Sequence, residues 1–164
     1  MRVGIGYDIH RLVPDRPLRL GGIEVPSPVG LLGHSDGDVL LHAICDALLG
    51  AAALGDIGEH FPDTDPAYKD ADSAALLIVA LGKVRTAGLR PVNLDANILA
   101  QRPRLAPHKA AIRARVAELL ALAPDCVSIK ARTHEGLDAV GRGEAIAAHA
   151  VVLLDQPPRA QGES

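Results

Sequence analysis

Alternation of apolar and polar residues predicts strands in this chain, because a period of two places one set of side chains on a buried face. The alternation is clearest in Val92–Ala100 and Val127–Thr133. Three more segments are predicted as strands or hairpin strands: Arg2–Asp8, Leu18–Val25 around a Gly-Gly pair, and the nearly continuous apolar stretch Ala145–Leu154.

A helix is predicted from about Asp38 to Leu54, and its residues are apolar on nearly all sides. Ser35 or Asp36 is a suitable N-cap, and Gly55 ends the helix. An apolar surface of this kind predicts a helix that is buried on most sides.

Two further helices are predicted. One has Asp72 or Ser73 as its cap and ends at Gly88, and the other spans Arg104–Leu122 with Pro107 tolerated in its first turn. Pro/Gly-rich and acidic loops are expected at Pro26–Gly33 and Asp56–Tyr68. Residues 1–154 are expected to form a single domain, followed by a disordered tail at 155–164.

This order of strands and helices favours an α+β fold, with helices packed on one face of a mixed, mainly antiparallel sheet. The other face of the sheet would then be uncovered. If it carries small apolar residues it needs a partner, and a symmetric homo-oligomer is the usual solution.

Composition excludes several classes of protein. The chain has 164 residues, 48% of them hydrophobic, and a formal net charge of −3, which argues against nonspecific binding to nucleic acid or to anionic membranes. Cys45 and Cys126 lie in apolar segments without CxxC spacing and are predicted to be reduced core thiols. No signal peptide or membrane span is expected, so a soluble cytoplasmic protein is predicted.

Three residues suggest a metal site. Asp8 and His10 lie two positions apart on a predicted strand and therefore share one face. His42 on the apolar helix could supply a third ligand, and three such ligands with a fourth position open are typical of catalytic zinc. The alternative is a polar strand end beside a hydrogen-bonded core histidine.

The segment His34–Asp38 lies just before the helix that carries His42. The N-terminus of a helix favours phosphate, although an ordinary helix cap explains the same residues. Asp38 and Asp46 flank His42 at i−4 and i+4, and either could hold the second imidazole nitrogen, as metal-bound histidines require.

Two other polar segments are candidates for ligand contacts. The carboxylates of Asp56–Asp65 could bind sugar hydroxyls, or they could form a plain acidic loop. At the end of a later strand, Thr133 could donate to a phosphate, Glu135 could bind Mg²⁺ and Arg142 could bind an anion. A salt-bridged turn is the alternative for that second segment.

Together these segments resemble the 2-C-methyl-D-erythritol 2,4-cyclodiphosphate synthase family of the non-mevalonate isoprenoid pathway. The resemblance runs from Arg2 to about Leu154. It is carried by five stretches: Gly6–His10, Gly33–Asp38, Ala43–Gly58, Phe61–Pro66 and Gly141–Glu144.

The resemblance implies a lyase that converts 4-diphosphocytidyl-2-C-methyl-D-erythritol 2-phosphate to the 2,4-cyclodiphosphate with release of CMP. Asp8, His10 and His42 would hold Zn²⁺, and Glu135 would hold Mg²⁺ or Mn²⁺. His34 and Thr133 would stabilise the transition state. The implied substrate contacts are Ser35, Asp56, Ile57, Gly58, Phe61, Asp63, Ala100, Pro103, Leu105, Ala106, Arg132 and Arg142.

The same resemblance implies a ferredoxin-like subunit in a homotrimer, with the sheets around a central cavity and the active sites between subunits. The chain departs from the family at Arg132, at His134 and at Asp138–Val140. Ala139 replaces a phenylalanine often found near the trimer axis, which predicts weak binding of isoprenoid diphosphates in the cavity. The alternatives are a zinc phosphohydrolase that uses metal-bound water, and a catalytically silent trimer that binds CDP or prenyl diphosphates.

Overall fold

The computed structural model describes residues 1–156. The predicted disordered tail therefore falls mostly outside the described residues. Asp155, which was assigned to that tail, is instead the last residue of the final strand.

The strands are β1 (Arg2–Pro14), β2 (Leu18–Leu20), β3 (Ile23–Val25), β4 (Val29–Leu31), β5 (Arg90–Leu99), β6 (Val127–Arg132) and β7 (Ala145–Asp155). The helices are α1 (Val39–Ala52), α2 (Ile57–His60), α3 (Ser73–Thr86), α4 (Lys109–Leu120) and α5 (Asp138–Gly141). Short 3₁₀ turns occur at Pro66–Tyr68 and Pro124–Cys126.

The main sheet has the strand order β4-β1-β7-β5-β6. Its pairings are antiparallel except for the parallel pair β5 and β6. Strands β2 and β3 form a separate hairpin. The prediction of an α+β fold with a mixed, mainly antiparallel sheet is confirmed.

Helix α1 lies directly on β1 because the strand has glycine where the two elements meet. A Cβ added at Gly4 would lie 2.0 Å from the carbonyl oxygen of Ala47, and one added at Gly6 would lie 1.9 Å from that of Ala43. Any side chain at these positions would push the helix away. Close contact between helix and strand backbones therefore depends on both glycines.

The opposite face of β1 is exposed. Val3, Ile5, Tyr7 and Ile9 alternate with the residues under α1, and Val3 and Ile5 are 68% and 71% exposed. Across the sheet, Ile5 pairs with Val151 of β7, which is also exposed. This apolar face has no covering element among residues 1–156.

Several predicted boundaries were wrong. Strand β1 continues six residues past Asp8, to Pro14, because its second half pairs with β7 and with β4. Strand β4 and helix α2 lie within segments predicted to be loops. Helix α4 begins at Lys109 rather than Arg104, since Pro107 disfavours helical geometry in Ala106, the residue before it.

No helix among the described residues combines the length and the apolar character needed to cross a bilayer. Cys45 and Cys126 are both free, as predicted, although only Cys45 is buried.

Candidate functional site

The contact between α1 and β1 leads directly to a cluster of three polar side chains. Gly4 faces Ala51 and Ala47, and Gly6 faces Ala47 and Ala43, so the helix runs back along the strand. One step further along this contact, the next inward-facing residue of β1 is Asp8, and it meets His42. His10 lies two residues further on the same face of the strand.

The three side chains present one ligand atom each to a common point. Asp8 Oδ2 lies 2.7 Å from His10 Nε2 and 2.9 Å from His42 Nδ1, and the two nitrogens are 3.2 Å apart. Tetrahedral zinc with bonds of about 2.0–2.1 Å would hold such ligands about 3.3 Å apart. A carboxylate and two imidazoles at these distances form a possible metal-binding site, and small outward movements would accommodate a cation.

Hydrogen bonds prepare His10 for this role. Its Nδ1 lies 2.6 Å from the carbonyl oxygen of Leu32, which can only accept, so Nδ1 carries a proton. In the neutral ring Nε2 is then free to bind a metal. Although burial lowers the pKa of His10, the hydrogen bond to Asp8 and the charge of that carboxylate raise it above its usual value.

Asp8 is the anionic member of the cluster. Burial alone would raise its pKa, but hydrogen bonds with His10 and His42, and the charges of those rings, hold the pKa well below its usual range. The carboxylate is therefore ionised at neutral pH and ready to bind a cation.

The second nitrogen of His42 does not contact either carboxylate that the sequence suggested. His42 Nε2 lies 2.9 Å from Ser73 Oγ and 3.0 Å from Ser35 Oγ, at the buried junction of α1 and α3. The prediction that Asp38 or Asp46 holds this nitrogen is wrong, because both carboxylates bond to backbone N–H groups instead.

Asp38, rather than Ser35 or Asp36, is the N-cap of α1. Its carboxylate accepts from the N–H groups of Leu41, Gly21 and Gly22, at 3.1, 2.9 and 2.7 Å. The carboxylate thus ties the β2–β3 turn to the first turn of α1. For Asp38 the interpretation as an ordinary helix cap is favoured, since its buried carboxylate occupies the helix N-terminus.

Asp46 supports the segment that follows α1. Its Oδ1 accepts from the N–H of Ile57 at 2.8 Å, which holds α2 against α1. Burial raises the pKa of Asp46, and the charges of Asp56 and Asp8 raise it further.

A cavity of about 430 Å³ opens beside the cluster of Asp8, His10 and His42. Besides Asp8, His10 and His42, its lining includes six more of the residues predicted to contact a ligand or to stabilise a transition state: His34, Ser35, Ile57, Gly58, Phe61 and Asp63. Asp56 is not in the lining, because its side chain caps α2 by accepting from the N–H of Glu59. Asp46 and three residues not predicted, Pro62, Tyr68 and Leu76, complete the lining.

A second cavity, of about 400 Å³, lies at the ends of β5 and β6. Its lining contains the predicted residues Ala100, Pro103, Leu105, Ala106, Arg132 and Thr133. Gln101, Arg104, Lys109 and Ala131 also line it, so three cationic side chains surround the space. Such a cavity suits an anionic ligand.

The two cavities share no lining residue, but they open at the same end of the sheet. Asp8, Ala148, Ile98 and Ala131 are paired in one row across β1, β7, β5 and β6. Three strand spacings place β1 about 14 Å from β6. One chain therefore keeps the Asp8, His10 and His42 cluster apart from the residues around the second cavity.

Glu135 and Arg142 line neither cavity. Thr133 Oγ1 donates to Glu135 Oε1 at 2.6 Å, and Arg142 pairs with Glu144 at 2.8 Å. His134 bonds to Asp138, also at 2.8 Å. The interpretation of this segment as a salt-bridged turn therefore describes the isolated chain, while the Thr133 and Glu135 side chains still lie side by side.

Comparisons of sequence and of structure with known proteins point to the same family. The profile of the YgbB family matches residues 1–155. The 2-C-methyl-D-erythritol 2,4-cyclodiphosphate synthase of Dechloromonas aromatica is 61% identical over 155 residues, covering 94% of this chain and 97% of the relative. A solved structure of a 2C-methyl-D-erythritol-2,4-cyclodiphosphate synthase in a CDP-bound form is 44% identical, with a TM-score of 0.87 over 94% of this chain and 100% of that one.

A larger protein also matches. The bifunctional IspDF of Campylobacter jejuni is 44% identical, with a TM-score of 0.90 over 93% of this chain. This chain spans 42% of that protein.

Proposed function

The chain belongs to the YgbB family, shared with the 2-C-methyl-D-erythritol 2,4-cyclodiphosphate synthases, and from that premise we propose its reaction. The substrate is 4-diphosphocytidyl-2-C-methyl-D-erythritol 2-phosphate. An oxygen of the 2-phosphate attacks the β-phosphorus, the bond from that phosphorus to the α-phosphate oxygen breaks, and CMP leaves. The product is the 2,4-cyclodiphosphate, an isoprenoid precursor.

One observation carries this proposal. Asp8, His10 and His42 bring three ligand atoms together beside a cavity whose lining also contains His34, in a chain 61% identical to a named synthase. Attack of one phosphate on another is slowed by their mutual repulsion. Neutralisation of charge and fixed positioning are therefore what such an enzyme has to supply.

Asp8, His10 and His42 would hold Zn²⁺, which would act as a Lewis acid toward a substrate phosphate. Around it, Gly58 leaves room for the erythritol to approach the backbone, and Asp63 offers a carboxylate to its hydroxyls. His34 is exposed at the cavity, and its Nε2 makes a weak 3.4 Å contact to the carbonyl oxygen of Asp65, so its ring is available to donate to a phosphate oxygen. The segment that follows α1 is held in place by the hydrogen bonds of the Ile57 N–H to Asp46 and of the Glu59 N–H to Asp56.

The cytidine diphosphate part is proposed to lie in the second cavity. A structural relative is described in a CDP-bound form, which supports binding of CDP by this fold, and the three cationic side chains around the second cavity favour that location for the diphosphate. Backbone groups of Ala100–Ala106 would grip the base, while Arg132 lies where it can face phosphate. Thr133 would donate to the transferring phosphate, and Glu135 would hold Mg²⁺ or Mn²⁺, which supplies charge neutralisation at the α- and β-phosphates.

A homotrimer of ferredoxin-like subunits, each one domain over residues 1–154, completes the proposal. The exposed apolar face of β1 and β7 favours a partner of the same kind. In such a trimer the metal ligands of one subunit would face the second cavity of the next, with Arg142 near the axis.

The direct test is product analysis. The purified protein is incubated with the substrate, with and without Mg²⁺, and followed by phosphorus NMR. We expect two coupled ring phosphorus signals together with CMP. Linear phosphates would indicate a phosphohydrolase instead, and unchanged substrate from a zinc-loaded protein would favour a binding protein without turnover.

Shared active sites predict rescue between inactive variants. His42→Ala removes the metal half of the site and Thr133→Ala removes a residue of the other half, so each variant alone is expected to be inactive. In mixed trimers, a site that takes its metal half from one variant and its other half from the other is intact. Random exchange at equal amounts should restore about a quarter of wild-type activity.

The matched control mixes His42→Ala with Asp8→Ala. Both changes lie in the metal half, so no mixed site is intact and activity should stay at the level of the single variants. Rescue in this control, or no rescue in the first mixture despite proven subunit exchange, would contradict active sites shared between subunits.

A further inference from the structure

The environment of His42 contains a hydrogen-bonded chain that leads away from the metal ligands. His42 Nε2 contacts Ser73 Oγ at 2.9 Å, and Ser73 Oγ in turn donates to Asp36 Oδ1. Ser73 is the first residue of α3 and is fully buried. The sequence suggested only helix-capping roles for Ser73 and Asp36.

The direction of each hydrogen bond follows from the carboxylate of Asp36, which ends the chain of hydrogen bonds. A carboxylate can only accept, so the Ser73 hydroxyl hydrogen points to Asp36. The hydroxyl then faces His42 with a lone pair, which requires a proton on Nε2. Without a cation, Nδ1 can also donate to Asp8 Oδ2 at 2.9 Å. A cation that takes the place of that proton leaves the neutral ring with its one proton on Nε2, and the Nδ1 lone pair then faces the cation beside Asp8 and His10.

We propose that Asp36 and Ser73 are positioning residues, which fix the tautomer and the ring orientation of His42 so that Nδ1 faces the cation. The proposal rests on the metal-binding part of the proposed function. It parallels a general rule that partners of a ligating histidine tune the site through its second nitrogen.

Asp36 is itself firmly held, as a positioning group has to be. Its N–H donates to the carbonyl oxygen of Ala71 at 3.0 Å, and its carboxylate accepts from the N–H groups of Ser73 at 3.3 Å and Asp38 at 3.2 Å. The carboxylate thus joins the start of α3 to the start of α1, and His42 lies between these helix ends.

Ser35 also reaches His42 but is less suited to fix the tautomer. Its Oγ lies 3.0 Å from Nε2 and accepts from the N–H of Gly37 at 3.2 Å, with Ser73 Oγ 3.3 Å away. Within residues 1–156 no carboxylate accepts from this hydroxyl, so its hydrogen can turn. The Ser73 and Asp36 pair is therefore the determinant that we test.

The experiment measures metal binding on metal-stripped protein, with Co²⁺ as a spectroscopic substitute for Zn²⁺. Ser73→Ala keeps the backbone bond to Asp36 and removes only the hydroxyl. We expect a 10- to 100-fold loss of Co²⁺ affinity and an altered visible absorption band, because the His42 ring is no longer fixed. Asp36→Ala, which leaves the Ser73 hydroxyl free to turn, should change the spectrum in the same direction.

Asp72→Ala is the matched control. Asp72 caps the same helix by accepting from the N–H of Ala74 at 2.8 Å and makes no hydrogen bond to His42 in the described part of the chain. This variant should lower the melting temperature and leave the Co²⁺ affinity and spectrum unchanged. Equal loss of affinity in Asp72→Ala would reduce Ser73 to a structural role.

Two negative results are distinguishable. Wild-type affinity and spectrum in both Ser73→Ala and Asp36→Ala would overturn the positioning role while leaving the metal site intact. Absence of Co²⁺ and Zn²⁺ binding by the wild-type protein would overturn the metal site, and the positioning role with it.

Discussion

A His42→Ala variant is expected to lose turnover on the order of 10³-fold. The change removes one of three ligands in the cluster with Asp8 and His10, and with it the stable binding of a Lewis acid. Such an ion contributes several kcal/mol of charge stabilisation, and a loss of about 4 kcal/mol corresponds to roughly 10³ in rate. Release of CMP and bound zinc per subunit are the two measurements.

His108→Ala is the control for a histidine-to-alanine change. His108 precedes α4, makes no capping hydrogen bond through its side chain and lines neither cavity. The His108→Ala variant should release CMP at the wild-type rate and contain as much zinc per subunit as the wild type. Full turnover by His42→Ala without bound metal would show that the cluster is not part of the reaction.

The Asp38→Ala variant is expected to lower the free energy of unfolding by about 4 kcal/mol. The carboxylate accepts three hydrogen bonds from backbone N–H groups, and leaving buried donors without partners costs about 1–3 kcal/mol each. Stabilities of natural domains are about 5–15 kcal/mol, so this is a large fraction. Chemical denaturation measures the loss directly.

Asp38→Asn separates the loss of acceptors from the loss of the side chain. The amide keeps one acceptor oxygen but presents an NH₂ to a backbone donor, so its stability should lie between those of wild type and Asp38→Ala. Wild-type stability for Asp38→Ala would show that water replaces the carboxylate at the Gly21–Gly22 turn without penalty.

Most of the larger elements could be predicted from local pattern. Helix α3 begins at Ser73, next to its predicted cap, and β5, β6 and β7 lie within about two residues of the predicted ranges. Apart from the start of α4, which depends on a nearby proline, the strand boundaries that failed depended on distant contacts. Val29–Leu31 is a strand only because β1 passes beside it, and no three-residue pattern can reveal that pairing.

In the candidate site, too, local spacing predicted some contacts, while contacts between distant residues were missed. Spacing on one strand predicted that Asp8 and His10 share a face, and the cluster with His42 is confirmed as a possible metal-binding site. The partner of His42 was missed because i±4 spacing favoured Asp38 and Asp46. Ser73 is 31 residues away in sequence, and only the packing of α3 against α1 brings it to the ring.

The glycines of β1 have a consequence for which cation the proposed metal site would select. Asp8 belongs to the strand and His42 to the helix resting on it, so backbone contact at Gly6 sets the span between two ligand atoms. A side chain added at Gly6 would push α1 away from β1 and lengthen the distance between Asp8 Oδ2 and His42 Nδ1. Selection among cations of different radius could therefore be retuned from a position that never touches the ion, and a search for such variants should begin at the helix–strand contact.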